Sequence, residues 1–179
     1  MTCIIGLEYH KKVYMGCDGI VMSGDVKSPS HRPKVFREKN TGMLMGFSGL
    51  VEVAETVQYD FVPPAQQPKV SDPAYLRVCV SEVLRDVFER NKISKDSLEQ
   101  SVIMLAHRGH LYCANAYQLS FFRSLRGYDA SGSGSEIALG AMWATRASGL
   151  SPRERIKVGL KAASEFISSV GPPFTILES

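Results

Sequence analysis

The chain has 179 residues, of which 44% are hydrophobic and 22% charged, and its formal net charge is +3 at pH 7. This length predicts a single domain over residues 1–179, large enough to bury an apolar core. The basic residues are scattered, so the mild positive charge gives little support for a nucleic-acid-binding protein. No apolar stretch approaches the roughly 18 residues that a membrane span needs, and the N-terminus has no signal-peptide pattern. We therefore expect a cytoplasmic protein that binds neither nucleic acid nor membrane.

The cysteines predict buried free thiols. Cys3, Cys17, Cys79 and Cys113 include no pair at the CxxC spacing of zinc and redox sites. Unpaired cysteines are usually buried, and they stay reduced inside cells. We expect no metal and no cofactor.

The first fifty residues are rich in strand-forming residues. Residues 2–9 and 13–17 predict two strands around a polar turn, and residues 34–37 and 43–47 predict a second pair. Between the pairs, residues 19–30 contain Gly, Ser, Asp and Pro and predict a loop or a short hairpin.

Helical spacing of apolar residues follows. Residues 48–59 predict one helix, and a proline-rich connection covers residues 62–69. Ser71-Asp72-Pro73 is a helix-start signal, and the apolar stripe after it predicts a second helix that ends near Asn91.

The second half repeats this order of strands and helices. Strands are predicted at 101–106, 111–114 and 119–122, an irregular Gly-Ser loop at 131–135, helices at 136–147 and 152–169, and a last strand at 174–177. Ser151 is the expected N-cap of the last helix. Strands grouped between pairs of helices predict an α+β fold with antiparallel sheets and the helices outside.

Thr2, directly after the initiator methionine, is a candidate nucleophile. A threonine is small enough for Met1 to be removed, which would leave a hydroxyl beside a free α-amine. This pair combines a nucleophile and a base in one residue. The position alone is weak support, because many proteins begin with Met-Thr.

Asp18, Lys34 and Gly49 could serve the same chemistry. A lysine cation favours the deprotonated forms of a nearby hydroxyl and amine. A carboxylate stabilises a buried lysine, and a backbone N–H at a strand-to-helix turn can receive an oxyanion. Read one at a time, Asp18 and Gly49 are equally typical of turns, and Lys34 of a solvated surface.

Several short motifs stand at suggestive spacing from Thr2. They are Gly16-Cys17-Asp18-Gly19, Ser23-Gly24, Lys34-Val35, Gly46-Phe47-Ser48-Gly49 and, later, Gly132-Ser133-Gly134-Ser135. In this pattern the sequence resembles the proteasome β-type threonine peptidases, and most closely their HslV branch. The resemblance covers most of the chain, and its specific motifs lie in the first third.

The resemblance implies a role for each of these positions. Thr2 would be the nucleophile after loss of Met1, Lys34 the activating lysine and Asp18 its partner. Gly49 would supply the oxyanion amide, and Ser133 would form a hydrogen bond near the threonine amine. The positions that resemble the primary specificity pocket are Val21, Arg32, Gly46 and Leu50.

One departure from the family concerns the end of the last helix. Many proteasome subunits place an Asp and a Ser near the nucleophile there, and this chain aligns Ile167 and Val170 with them. HslV also lacks that pair, so the departure favours the HslV branch. It also argues against a hydrogen-bond network centred on Ser133.

The resemblance further implies a four-layer α-β-β-α fold and a threonine endopeptidase that acts on proteins or peptides. Such a subunit would form stacked six- or seven-membered rings, a dodecamer or a tetradecamer, fed by an ATP-dependent unfoldase. Two alternatives stay open: a catalytically inactive structural subunit of the same fold, and an N-terminal-nucleophile hydrolase of small amides.

Overall fold

The computed structural model describes residues 2–179. Its strands, in chain order, are β1 (Ile4–Tyr9), β2 (Lys12–Cys17), β3 (Ile20–Ser23), β4 (Val26–Pro29), β5 (Val35–Arg37), β6 (Leu44–Ser48), β7 (Val102–His107), β8 (His110–Asn115), β9 (Tyr128–Ser131) and β10 (Thr175–Glu178). Its α-helices are α1 (Val51–Asp60), α2 (Asp72–Ala74), α3 (Ser81–Arg90), α4 (Lys95–Glu99), α5 (Ser135–Ala144) and α6 (Pro152–Phe166). A π-helical segment, Tyr75–Val80, joins α2 to α3 without a break.

Two antiparallel sheets form the centre of the fold. The first sheet has the order β10-β2-β1-β9, and the second has the order β5-β6-β7-β8. The two sheets bury one apolar cluster between them. A second cluster lies between the second sheet and the helices α1 and α3, and a third lies between the first sheet and the helices α5 and α6. The predicted α+β, four-layer α-β-β-α architecture is therefore confirmed.

The predicted strands of the first fifty residues are also confirmed. β1 pairs with β2, and their tight turn needs a positive φ at His10 and Lys11. The segment predicted as a loop or a short hairpin is the separate hairpin β3–β4. This hairpin starts two residues after Asp18.

The last long helix begins as its sequence indicates. Ser151 Oγ accepts a hydrogen bond from the Glu154 N–H, and the Glu154 carboxylate accepts one from the Ser151 N–H. This reciprocal capping box satisfies two donors that a helix start leaves open. Pro152 fits the first position of the helix because no hydrogen bond is needed from its nitrogen.

The prediction of a strand over residues 119–122 is wrong. Only Phe122 forms a bridge there, to Cys113, and Leu119 has a φ of 52° and packs into the core between the second sheet and its helices. The strand that completes the first sheet is β9 instead, which pairs with β1. Its sequence, Tyr-Asp-Ala-Ser, is short and lacks a marked apolar alternation.

Other observations concern the thiols and the helices. All four cysteines are free, and Cys3, Cys17 and Cys113 are buried, as the sequence predicts. Cys79 is only half-buried, so the prediction of burial is wrong at that position. Within residues 2–179, no helix has the length and apolar character needed to cross a membrane.

Candidate active site

Thr2 is buried immediately before β1, where the loop after β9 passes over it. A Cβ on Gly132 would overlap the Thr2 carbonyl oxygen, and Gly132 has a φ of +96°, which favours glycine. The Gly134 N–H donates to the same carbonyl oxygen at 3.2 Å. The glycines of the Gly-Ser loop therefore let its backbone lie directly against Thr2.

Asp18 is fully buried at the end of β2, and both of its carboxylate oxygens are used. Oδ1 accepts hydrogen bonds from Lys34 Nζ at 2.7 Å and from the Cys3 N–H at 2.9 Å. Oδ2 accepts from the Ile20 N–H at 3.1 Å. A buried carboxylate needs such compensation, so Asp18 also fixes the backbone on both sides of itself.

Lys34 lies just before β5, and its side chain is 13% exposed. It shares Asp18 Oδ1 with the N–H of Cys3, the residue after Thr2. The Lys34 ammonium therefore lies within two hydrogen-bond lengths of the backbone next to Thr2. Its carbonyl oxygen accepts from the Phe47 N–H at 3.0 Å, which connects this segment to the one that leads to Gly49.

Ser133 contacts Thr2 through its hydroxyl. Ser133 Oγ accepts a hydrogen bond from Thr2 N at 3.2 Å and lies 3.3 Å from the Thr2 carbonyl oxygen. A second hydroxyl, that of Ser169, lies 3.4 Å from Ser133 Oγ and is buried. The expected hydrogen bond between Ser133 and the Thr2 nitrogen is therefore present. The argument from Ile167 and Val170 against a wider network does not hold, because Ser169 reaches Ser133 after α6.

Gly49 connects β6 to α1 with a φ of +118°. A Cβ at this position would lie 2.5 Å from Ser101 Oγ and 2.6 Å from the Gln100 carbonyl oxygen, so only glycine fits. The next N–H, that of Leu50, donates to Ser101 Oγ at 3.2 Å. The Gly49 N–H itself donates to no acceptor within residues 2–179.

Two buried serines meet beside these residues. Ser48 Oγ, at the end of β6, lies 2.6 Å from Ser131 Oγ, at the end of β9. The bond joins the two sheets. Sequence reasoning identified neither serine as functional, nor Ser101 or Ser169, because each depends on contacts between distant segments. The only local signal was that Ser48 and Ser131 stand within or beside glycine-containing motifs.

The residues around Thr2 enclose a cavity of about 430 Å³. Its lining consists of Thr2, Ser48, Gly49, Leu50, Gln100, Val102, Ser131, Gly132 and Ser133. None of these residues carries a charged side chain, whereas Asp18 and Lys34 form their ion pair next to the backbone of Cys3. The structure thus brings together Thr2, Gly49, Leu50 and Ser133 around one space.

Three residues predicted near the specificity pocket lie outside this lining. Val21 is half-buried in the β3–β4 hairpin. Arg32 is exposed and forms an ion pair with Glu55. Gly46 is buried in β6, and a Cβ there would lie 2.9 Å from Met15 Sδ, between the sheets. Contact of these positions with a substrate stays a prediction.

Two thiols flank the Asp18–Lys34 pair. Burial raises the pKa of Cys3 to about 12, and the Asp18 carboxylate raises it further than Lys34 lowers it. Burial likewise raises the pKa of Cys17 to about 11. Both thiols stay protonated near neutral pH, so neither is an activated nucleophile. Among residues 2–179, no group of three or more His, Cys, Asp and Glu side chains could hold a metal ion.

No family model and no curated protein matches the chain. Solved structures, in contrast, are similar to it over nearly its whole length. BPH from Thiobacillus denitrificans, in complex with epoxomicin, superposes with a TM-score of 0.83 at 20% identity, over 99% of this chain and 98% of that one. HslV from Trypanosoma brucei gives a TM-score of 0.69 at 13% identity, over 99% and 98%. Anbu, an ancestral beta-subunit from Yersinia bercovieri, gives 0.67 at 12% identity, over 99% and 81%.

These similarities concern the fold, because the sequence identities are all 20% or lower. They extend over whole chains and not over one motif, so they identify the architecture. The fold is that of the proteasome-type N-terminal-nucleophile hydrolases.

Proposed function

We propose that the chain is a threonine-type endopeptidase subunit whose nucleophile is Thr2 after removal of Met1. The observation that supports this most is the shared use of Asp18 Oδ1 by Lys34 Nζ and by the Cys3 N–H. It brings a mostly buried cation to the backbone beside the threonine, where a charge acts more strongly than in water. An isolated buried ion pair is a poor way to gain stability, so its position next to Thr2 favours a chemical role.

Removal of Met1 converts the Thr2 nitrogen into an α-amine, which has an ordinary pKa of about 7.7–8.0. The amine accepts the hydroxyl proton while Oγ1 attacks the scissile carbonyl carbon, and a tetrahedral oxyanion forms. The carbon–nitrogen bond then breaks, and the ammonium returns the proton to the leaving amine. Water hydrolyses the resulting ester with the amine again as base, which regenerates the threonine hydroxyl.

Ser133 suits both protonation states of this amine. A hydroxyl can accept a hydrogen bond from an ammonium and donate one to a neutral amine. Ser133 Oγ lies 3.2 Å from the Thr2 nitrogen, and Ser169 lies on its other side. The two serines thereby orient the amine toward the hydroxyl of its own residue.

Gly49 is the proposed oxyanion donor. Gly49 lines the cavity beside Thr2, and the N-terminus of α1, which begins at Val51, adds a favourable dipole. A preorganised backbone donor of this kind stabilises the charge that develops in the transition state.

We further propose that the subunit works in stacked rings of twelve or fourteen copies, served by an ATP-dependent unfoldase. Large apolar side chains are exposed, including Trp143 on α5 and Phe166 at the end of α6, at 56% and 74%. Exposed apolar surface of this kind is typical of an interface. Enclosure of the sites would also protect other proteins of the cell.

The central test measures peptide hydrolysis together with the intact mass of the purified protein. We expect loss of Met1, hydrolysis by the wild type, and none by Thr2→Ala. Thr2→Ser should keep partial activity, because it retains the amine and a hydroxyl with a less restricted rotamer. Full hydrolysis by Thr2→Ala would refute the proposal.

Epoxomicin is a suitable probe, because a protein of similar fold, BPH from Thiobacillus denitrificans, forms a complex with it. We expect one adduct per subunit in the wild type and none in Thr2→Ala. A protein that has lost Met1 yet neither reacts nor hydrolyses peptides would support the inactive structural subunit.

Native mass spectrometry tests the assembly. We expect rings that cleave small peptides alone, and that cleave folded proteins only with an unfoldase and ATP. An active species at the monomer mass of 19.7 kDa would instead favour a hydrolase of small amides.

A further inference from the structure

The hydrogen bond between Ser48 and Ser131 joins the two sheets at the floor of the Thr2 cavity. Its oxygen atoms are 2.6 Å apart, and the two residues are 5% and 8% exposed. Ser48 is the last residue of β6 in the second sheet, where it pairs with Val102. Ser131 is the last residue of β9 in the first sheet, where it pairs with Ile4.

Each serine directly precedes a segment that contacts the reacting groups. Gly49, the proposed oxyanion donor, follows Ser48. Gly132, which packs on the Thr2 carbonyl, follows Ser131, and Ser133 comes next with its hydrogen bond to Thr2 N. A shift of either strand end would therefore change the distance between the oxyanion donor and the threonine amine.

Another hydrogen bond between the sheets, from the Leu111 N–H to the Glu8 carboxylate, lies toward the opposite end of β1 from Ile4, which pairs with Ser131. The apolar core between the sheets gives little directional control. The buried cluster there consists of Ile4, Val13, Met15, Cys17, Val35, Leu44, Met104, Ala106, Leu111 and Cys113. Dispersion contacts among such side chains are individually weak and depend little on direction. A buried hydrogen bond is directional, and separating its partners leaves both without compensation.

We infer that Ser48 and Ser131 form a positioning pair that fixes Gly49 relative to the amine and hydroxyl of Thr2. The pair acts through the two backbone segments and not on the substrate. This inference rests on the proposed peptidase function for its catalytic consequence, but its geometric part can be tested separately.

The geometric test compares Ser48→Thr with Ser48→Val. These two side chains have nearly the same shape and differ by one hydroxyl, so the comparison isolates the hydrogen bond from the change in volume. We expect faster amide exchange in Ser48→Val than in Ser48→Thr, by mass spectrometry of peptides covering residues 49–54 and 132–138. Equal exchange of both peptides in the two variants would overturn the inference, whether or not the protein is a peptidase.

The catalytic test uses the same variants with a peptide substrate. We expect a kcat about tenfold lower for Ser48→Val than for Ser48→Thr, with KM changed less than twofold, because oxyanion stabilisation acts only in the transition state. A rise in KM at constant kcat would instead assign the hydroxyl to substrate binding and overturn the positioning role.

A double-mutant cycle separates a pair from two independent groups. If the serines act through each other, Ser131→Ala and Ser48→Val should each lower kcat as much as the double variant does, within about twofold. If the fall in kcat of the double variant equals the product of the falls in the two single variants, the serines act independently and the inference is overturned.

Ser81→Ala is the matched control. Ser81 is also buried, and its hydroxyl donates to the carbonyl oxygens of Leu76 and Leu119, away from the cavity. We expect a lower melting temperature with unchanged kcat. An equal loss of kcat in this control would show that the serine effects report general destabilisation.

If the wild type neither hydrolyses peptides nor reacts at Thr2, the proposed function fails, while the exchange comparison still decides the geometric claim.

Discussion

Lys34 Nζ and the fully buried carboxylate of Asp18 form a 2.7 Å ion pair, and the same carboxylate oxygen bonds the Cys3 N–H. The pair therefore stabilises a lysine charge and fixes the start of β1 at once. Removal of Lys34 would leave the buried Asp18 charge with only the N–H groups of Cys3 and Ile20 as partners, which costs far more than the pair contributes to stability.

Lys34→Ala should reduce peptide hydrolysis to near zero and lower the free energy of unfolding by about 3–5 kcal/mol. Lys34→Arg should restore stability better than activity, since the guanidinium is larger and planar. Urea unfolding and peptide turnover measure the two effects.

The control is Lys12→Ala, because the exposed Lys12–Glu178 pair should contribute at most about 1 kcal/mol. Wild-type turnover in Lys34→Ala would remove the lysine from the mechanism.

Gly49→Ala keeps the backbone N–H but should displace it from the oxyanion position. We expect kcat to fall by about 100-fold, the effect of losing one oxyanion donor in hydrolases. The added methyl group would meet Ser101 Oγ and the Gln100 carbonyl, and the φ of +118° is strained for alanine. The control is Gly140→Ala within α5, where a Cβ has no neighbour within 4 Å. That variant should keep full activity and gain about 0.5–1 kcal/mol of stability. Equal activity of both variants would contradict the role of Gly49.

Ser169→Ala should lower kcat by about tenfold or less, the equivalent of one hydrogen bond of about 0.5–1.5 kcal/mol. The variant removes the hydroxyl that lies 3.4 Å from Ser133 Oγ, so Ser133 orients the amine less well. Ser164→Ala is the control, because the Ser164 hydroxyl donates a hydrogen bond only to the Lys161 carbonyl oxygen within α6. A pH profile of kcat for both variants is the measurement. A profile for Ser169→Ala identical to that of the control would contradict the network.

The Glu8 carboxylate links the long β8–β9 connection to the first sheet. Burial alone would raise the pKa of Glu8, but hydrogen bonds from Arg123, from the Leu111 N–H and from His110 hold it below its ordinary value of 4.5. A carboxylate with a lowered pKa stabilises the fold above its unfolded-state pKa, and this contribution disappears as the pH falls through the folded-state pKa.

Arg123→Ala should therefore destabilise the protein by about 1–2 kcal/mol at pH 7 and by less at strongly acid pH. Urea unfolding at pH 7 and below pH 4, at a fixed protein concentration, measures the difference. Arg126→Ala, a change at an exposed arginine in the same connection, should have little effect at either pH. If the loss of unfolding free energy in Arg123→Ala is the same at both pH values, only packing was lost and the prediction is contradicted.

Local chemistry made much of the fold predictable. The capping box at Ser151, the proline at the first position of α6 and the strand-forming residues of β1 all act within a few residues. The strand β9 and the short helix α4 were missed because their stability comes from neighbours distant in sequence. The same holds for the site: Thr2, Asp18 and Lys34 stand in recognisable motifs, whereas the approach of Ser169 to Ser133 depends on how the chain leaves α6.

The residues around Thr2 come from both ends of the chain, since Thr2 contacts Ser133, which in turn contacts Ser169. A ribosome makes Ser169 only after almost all the rest of this domain. A nascent chain or a C-terminally truncated fragment would carry Thr2 without the hydroxyls that orient its nitrogen. The reactivity that we propose for Thr2 would thus appear only after the segment that contains Ser169 has been made, so the order of residues along the chain would delay it.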